Sequence, residues 1–384
     1  MRDLSYYFDY AAATPMLPEV IKAMQPYFSE KFYNPSVLYL DSQQNRHDLE
    51  ESRHQIAQII GARPSEIIFT AGATEANNIA IKGLMIKYPG YQVVSSAIEH
   101  SSVLEPTKQF NHELCKVDAK GFIDLKELAR LINHKTVLVS VMYANNEIGT
   151  IEPIKDIRRI IDGVLEKRKL KGVKLPLYLH TDACQATNYL DMQISRLGVD
   201  LMTFNSDKIY GPKQCAVLYI KSGIELVPLI NGGGQENNLR SGTENMASIV
   251  GFATALTQIR QNYREEAIRL ANIRDEFISY IVGKCSSATL NGAIGNKRLA
   301  NNINITFIDY DNEILLMKLD ELGFKIATSS ACSASNQEPS HVLSAIGLDD
   351  KTARNSVRIT LGKHSSIEST IKLADVILKI LDKK

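Results

Sequence analysis

Four side chains of this 384-residue chain stand where apolar runs give way to polar residues. They are His100 in YQVVSSAIEH, Asn146 in VLVSVMYANNEIG, Asp182 in LPLYLHTDACQ and Lys208 in DLMTFNSDKIYGPK. A fifth feature, Gly72-Ala73-Thr74, closes the run EIIFTAG where the helical pattern TEANNIAIKGLMIKY begins. A helix start of this kind offers unpaired N–H groups and the positive end of a dipole, a natural seat for an anion. Singly, each residue has an ordinary explanation: a strand-end aspartate caps a helix, and a lysine lies along the surface with its amine in water. Together they bring an imidazole, an amide, a carboxylate, an amine and an anion seat to the ends of successive segments.

Pyridoxal 5′-phosphate (PLP) requires this set. A lysine amine forms a Schiff base with its aldehyde, and a carboxylate pairs with its pyridine nitrogen so that the ring accepts electrons. The helix start holds its phosphate, and the imidazole covers the ring and moves protons. A nucleotide fits less well, because IIFTAGATEANN contains neither GxGxxG nor GxxxxGK[ST].

The elements that would position these groups are legible in the hydrophobic pattern. Short apolar runs, which also include CAVLYI, alternate with amphipathic stretches such as DLKELARLINH and IKDIRRIIDGVLEKRKLKG. Alternating strands and helices predict an α/β fold with a mostly parallel sheet, and ligands bind beyond the carboxyl ends of such strands. From about Asn245 the pattern turns helical over one or two long helices. After it, NNINITFID, EILLMKLDELG and SVRITLGK suggest a smaller α+β domain.

Composition narrows the function class. A formal net charge of +1 gives no electrostatic surface for nucleic acid or a membrane. The chain has no apolar run near the ~18 residues of a membrane span, and its N-terminus lacks the apolar core of a signal peptide. Five cysteines (Cys115, Cys184, Cys215, Cys285 and Cys332) form no CxxC pair, which argues against a disulfide framework or zinc site and for a reducing, cytoplasmic setting. Cys332 stands apart. ATSSACSASNQEPS is small and polar, the composition of a mobile loop, and there a thiol has no apolar neighbours to pack against.

The motifs FDYAAATP, NPS, FTAGATEANN, IEHSSVLEP, VMYANNEIGTI, HTDACQA, DKIYGPK, GGGQENNLRSGTEN, SSACSASNQEPSHVL and SVRITLGK occur in one order from about Phe8 to Gly362. The chain thereby resembles the cysteine desulfurases of the NifS/IscS type, in their group I branch, within the class V aminotransferase-like PLP enzymes of fold type I. The resemblance implies a large PLP-binding domain over 15–258 with a mostly parallel seven-stranded sheet covered by helices. Residues 1–14 and 259–384 would form a small domain carrying the cysteine loop. Matched motif by motif, Lys208 would hold the cofactor, Asp182 would pair with its ring nitrogen, and His100 would stack on the ring and serve as acid and base. Gln185 would reach the ring oxygen, and Ala73, Thr74, Asn205 and Asp207 would surround the phosphate. Asn146 would lie near the ring and the substrate carboxylate, which Arg358 would grip. Thr243 matches a residue that reaches the partner subunit's phosphate, so a homodimer is implied. Cys332 would take sulfur from L-cysteine as a persulfide, leave alanine, and deliver the sulfur to an acceptor or scaffold protein for iron–sulfur cluster, thio-cofactor or tRNA synthesis. No resident metal is expected, with Cys332 at most a transient ligand to an iron–sulfur cluster.

The stretch before Lys208 departs from the family pattern, which has serine and histidine donors where this chain has Asn205 and Asp207. An ionised Asp207 has no hydrogen to donate. It would repel a phosphate by roughly 4 kcal/mol per pair of unit charges at ~4 Å and an effective dielectric of ~20. Asp207 therefore turns away, carries a proton, or weakens cofactor binding. Gln214, Tyr39 and Ala71 are smaller departures. They feed one alternative, a PLP-poor or weakly active homologue serving as a partner-binding scaffold; a further reading keeps the fold and changes the chemistry to a selenocysteine lyase or a small-substrate aminotransferase.

Overall fold

The computed structural model describes residues 4–328 and 339–382; Cys332 lies outside the described residues. Seven strands form the main sheet: β1 (Ile67–Thr70), β2 (Gln92–Ser96), β3 (Asn111–Cys115), β4 (Thr136–Ser140), β5 (Tyr178–Asp182), β6 (Leu201–Asn205) and β7 (Ala216–Ile220). Their order is β1-β7-β6-β5-β4-β2-β3. The pairs from β6 across to β3 are parallel, and β7 runs antiparallel to both of its neighbours.

Successive residues on a strand point to opposite faces, and here both faces are covered. Phe69, Val94, Val139, Met202 and Phe204 join the larger core with Leu49, Ile56, Ile157 and Phe252. Their neighbours Ile68, Val93, Leu138 and Leu201 pack with Ile79, Leu84 and Val103 in a second core. Two-sided burial explains why these strands read as unbroken apolar runs. The rings of Phe204 and Phe252 meet edge to face at 5.7 Å, tying the sheet to helix Met246–Gln261.

Four further strands, β8 (Ala288–Leu290), β9 (Asn302–Phe307), β10 (Ala327–Thr328) and β11 (Ser356–Thr360), make an antiparallel sheet in the order β10-β11-β9-β8. Bridges Tyr7↔Lys325 and Asp9↔Thr360 bring the start of the chain to this sheet. The expected architecture, a mostly parallel sheet with helices plus a smaller α+β part, is the one observed. Two helices, Met246–Gln261 and Tyr263–Lys284, follow Asn245, with the break at Asn262, whose φ of −133° leaves the helical range.

Several elements have no counterpart in the sequence reading, among them a long helix and an edge strand of the main sheet. Helix Leu40–Ile60 buries Ser42, Asn45, Ser52 and Arg53 beside only a few apolar residues, so its apolar stripe is faint. Strand β3 is an edge strand with exposed polar residues. No helix among the described residues is long and apolar enough to cross a membrane.

Candidate active site

The carboxyl ends of the parallel strands converge on a cavity of ≈ 480 Å³. Ala73, Thr74, His100, Asn146, Asp182, Gln185, Asn205, Asp207, Lys208 and Arg358 all line it. Of the site residues matched from the family motifs, Thr243 alone among those described is exposed and outside this lining.

The register of the sheet builds the anion end. Thr70 of β1 and Asn205 of β6 both pair with Ala216 of β7, so the three lie in one row. The residues after Thr70 and those after Asn205 therefore leave the sheet on the same side, about 10 Å apart at two strand spacings. Helix Ala73–Lys87 starts there with no side-chain cap at Gly72, and a Cβ built on Gly72 would meet nothing within 4 Å. Open space and a bare helix start suit a phosphate ester.

Asp182 ends β5 and is buried. Asn77 Nδ2 donates to its Oδ2 at 2.8 Å and the Cys184 N–H to its Oδ1 at 3.0 Å. Asn77 also donates to Ser102 Oγ at 2.9 Å. It is a positioning residue that the sequence reading missed, although its place one turn into the helix after Gly72 was a signal. Cys184 lines the cavity, but burial, with Asp182 beside it, holds its thiol protonated well above the usual range.

His100 caps helix Ser101–Thr107: its Nδ1 accepts from the Ser102 N–H at 3.1 Å, and Ser102 Oγ lies 2.8 Å away. An accepting Nδ1 places the neutral ring's hydrogen on Nε2. Burial lowers the His100 pKa and Asp182 opposes that, while Lys208 and His341 reinforce it. The backbone around Lys208 is pinned: Thr14 Oγ1 donates to the Asp207 carbonyl at 2.7 Å and Asn188 Nδ2 to the Lys208 carbonyl at 2.6 Å. The Lys208 amine donates to the Ala12 carbonyl and lies 3.2 Å from Asp207 Oδ2.

Arg358, on β11, reaches the cavity from the second sheet. Its guanidinium pairs with Asp9 Oδ1 at 2.9 Å and donates to the Asn146 carbonyl at 3.2 Å, and its buried Nε has no partner. A cation with an unused N–H in a buried site is ready to take a carboxylate. Gln185 donates from Nε2 to the Ala11 carbonyl at 3.1 Å. Ser340 Oγ donates to Glu147 Oε2 at 2.5 Å, and His341 Nε2 donates to the Glu99 carbonyl at 2.9 Å. Burial raises the Glu147 pKa to about 7, against the pull of Ser340 and Arg358. These contacts fasten Ser340 and His341 to the chain neighbours of Asn146 and His100.

A lysine, a carboxylate and an imidazole gather at the carboxyl ends of a mostly parallel sheet, with an arginine reaching in from a second sheet, the layout of an α/β enzyme with its polar groups in one cavity. More narrowly, the chain belongs to the aminotransferase class-V family, whose model matches residues 6–370. It is 42% identical to a cysteine desulfurase IscS of Dictyoglomus turgidum, over 98% of this chain and 94% of that protein. A solved structure described as a NifS-like protein superposes with a TM-score of 0.89 at 31% identity, covering 99% of this chain and 100% of the other. Another, described as SspA in complex with cysteine, gives 0.80 at 33% identity, covering 94% and 100%.

Proposed function

We propose that the protein is a PLP-dependent cysteine desulfurase that moves the sulfur of L-cysteine onto Cys332 and releases L-alanine. The observation that carries this reading is the convergence of Lys208, Asp182, His100 and Arg358 on one cavity, in a chain whose relatives include desulfurases of near-equal length. Lys208 would hold PLP covalently, Asp182 would pair with the ring nitrogen, and Ala73 and Thr74 would take the phosphate. When bound, the cofactor supplies an electron sink for bonds broken next to the substrate's α-carbon.

The chain's own residues do the rest. Arg358 takes the α-carboxylate through its fork and Asn146 closes the same side. Neutral His100 holds a transferable proton on Nε2. The Cys332 thiolate attacks the substrate sulfur, the C–S electron pair goes to the substrate carbon, and a proton completes alanine. The balance is one L-cysteine and one thiol giving one L-alanine and one persulfide. Purified protein given PLP, L-cysteine and a reductant should form alanine and sulfide in equal amounts; formation of neither would contradict the reading.

The site we propose is shared between two copies. Thr243 is exposed and outside the lining of its own chain's cavity, and Phe28, Phe32, Leu38 and Leu40, close together in the chain, are 69%, 68%, 86% and 82% exposed, apolar side chains that a second copy would cover. Mixing Lys208→Ala with Thr243→Ala subunits tests this. If Thr243 serves the partner's site, the heterodimer has one site lacking both groups and one intact site, which binds PLP at full strength. If Thr243 acts within its own chain, every site carries one defect and no full-strength binding returns. A sulfur-acceptor protein would complete the cycle in the cytoplasm, with selenocysteine an alternative substrate of the same site. A PLP-poor scaffold is the rival reading, and Asp207 in the cavity lining is what favours it.

A further inference from the structure

Asp207 lines the cavity on the segment that leaves β6 on the same side of the sheet as the bare start of helix Ala73–Lys87, and a carboxylate there has the wrong charge for an anion. Its backbone is fixed by Thr14, whose N–H and hydroxyl both donate to the Asp207 carbonyl, at 3.2 and 2.7 Å. Its carboxylate, a quarter exposed, takes two donors that an anion would otherwise use. Asn205 Nδ2 donates to Oδ1, and the Lys208 ammonium lies 3.2 Å from Oδ2. Asn205 is 6% exposed, and with its amide turned to Asp207 its Oδ1 stays buried without a partner. The segment after Asn205 thus presents acceptors on the side of the sheet where helix Ala73–Lys87 presents N–H groups. Lys208 is the cation that pairs with Asp207 among the described residues, so a phosphate bound beside them competes with Asp207 for that ammonium, and a cofactor bound through the amine removes it altogether.

The other charged or titratable groups around this end do not cancel Asp207. Glu75 on the helix start is already paired with Arg240 at 2.9 Å, and its second oxygen accepts from the Ala71 N–H. Asp182 adds negative charge, the Cys184 thiol is held neutral by burial, and neutral His100 is engaged at Nδ1. Arg358 is paired with Asp9. Lys213 lines the cavity from an exposed position and enters no ion pair among the described residues, so its charge is largely screened by solvent.

Resting on the PLP reading, we propose that Asp207 couples phosphate-ester binding to the uptake of one proton, so that the protein holds its cofactor in mildly acidic solution and loses it as pH rises. The proton comes from solvent and sits between the carboxylate and a phosphate oxygen, turning a repulsive pair of acceptors into a donor and an acceptor. The sign follows from the second ionisation of a phosphate monoester, near pH ~6. Below it the free ester already carries the hydrogen and Asp207 costs nothing. Above it the proton must be taken up, and affinity falls about tenfold per pH unit.

The probe is pyridoxine 5′-phosphate, which has the phosphate but no aldehyde to react with Lys208. Its dissociation constant is measured by calorimetry from pH 6 to 8.5 on wild-type apoprotein, Asp207→Asn and Asp207→His, in phosphate-free buffers of two ionisation enthalpies. Wild type should take up about one proton at pH 7.5 and lose affinity about tenfold per unit above pH 7. Asp207→Asn should take up almost none and bind at least tenfold tighter at pH 8, and Asp207→His should bind tighter still by adding a donor. The wild-type proton count stands alone if a variant fails to fold. Equal proton uptake and equal pH slopes in wild type and Asp207→Asn, or zero uptake in wild type, would overturn the role of Asp207 while leaving PLP as cofactor. Failure of all three proteins to bind the probe, and of wild type to bind PLP, would overturn the cofactor reading and this inference with it.

Discussion

Lys208→Ala should abolish covalent cofactor attachment and lower desulfuration on the order of 10²–10⁴-fold, the scale on which catalytic groups contribute. Two backbone ties, through Thr14 and Asn188, aim this one amine into the cavity. Lys213 is the only other lysine in the lining among the described residues, which makes the test discriminating. After incubation with PLP and borohydride, wild type should carry the cofactor on the peptide containing Lys208 and the variant on no peptide. Attachment to Lys213 in wild type would move the site. The fold should survive, because Lys208 is partly exposed and its main-chain hydrogen bonds do not depend on its side chain.

Cys332→Ser should keep PLP binding within about twofold and remove sulfur transfer altogether. A serine hydroxyl is nearly isosteric but barely ionised at neutral pH and has no sulfur with which to form a persulfide. The described cysteines offer little competition. Burial pushes the thiol of Cys115 up to about 12, and it raises those of Cys184 and Cys215 well above the usual range. Cys285 follows helix Tyr263–Lys284 and is no part of the cavity lining. Alanine formed by the serine variant at the wild-type rate would remove Cys332 from the mechanism.

How much of this was legible in the sequence depended on how directly a residue's neighbours could be inferred. His100, Asp182 and Lys208 follow apolar runs, and strand ends in a parallel sheet converge, so their meeting was readable from the pattern alone. Arg358 comes from β11 in the other sheet, a long-range approach that periodicity does not encode; only the family motif pointed to it. Asn77 is the one buried polar side chain on an otherwise apolar helix face, and its link to Asp182 spans more than a hundred residues, so nothing local announces it. Helix Leu40–Ile60 and strand β3 are too polar for an apolar stripe to reveal. For Asp207 the sequence left three outcomes open. The structure places it in the lining, with its carboxylate against Asn205 and Lys208.

The most direct test of the account is a single turnover followed by mass spectrometry. PLP-loaded protein given one equivalent of L-cysteine without reductant should release one alanine per site. It should also gain the mass of one sulfur atom on the peptide containing Cys332, removable by a thiol. Alanine without any sulfur adduct, or an adduct on another cysteine, would contradict it.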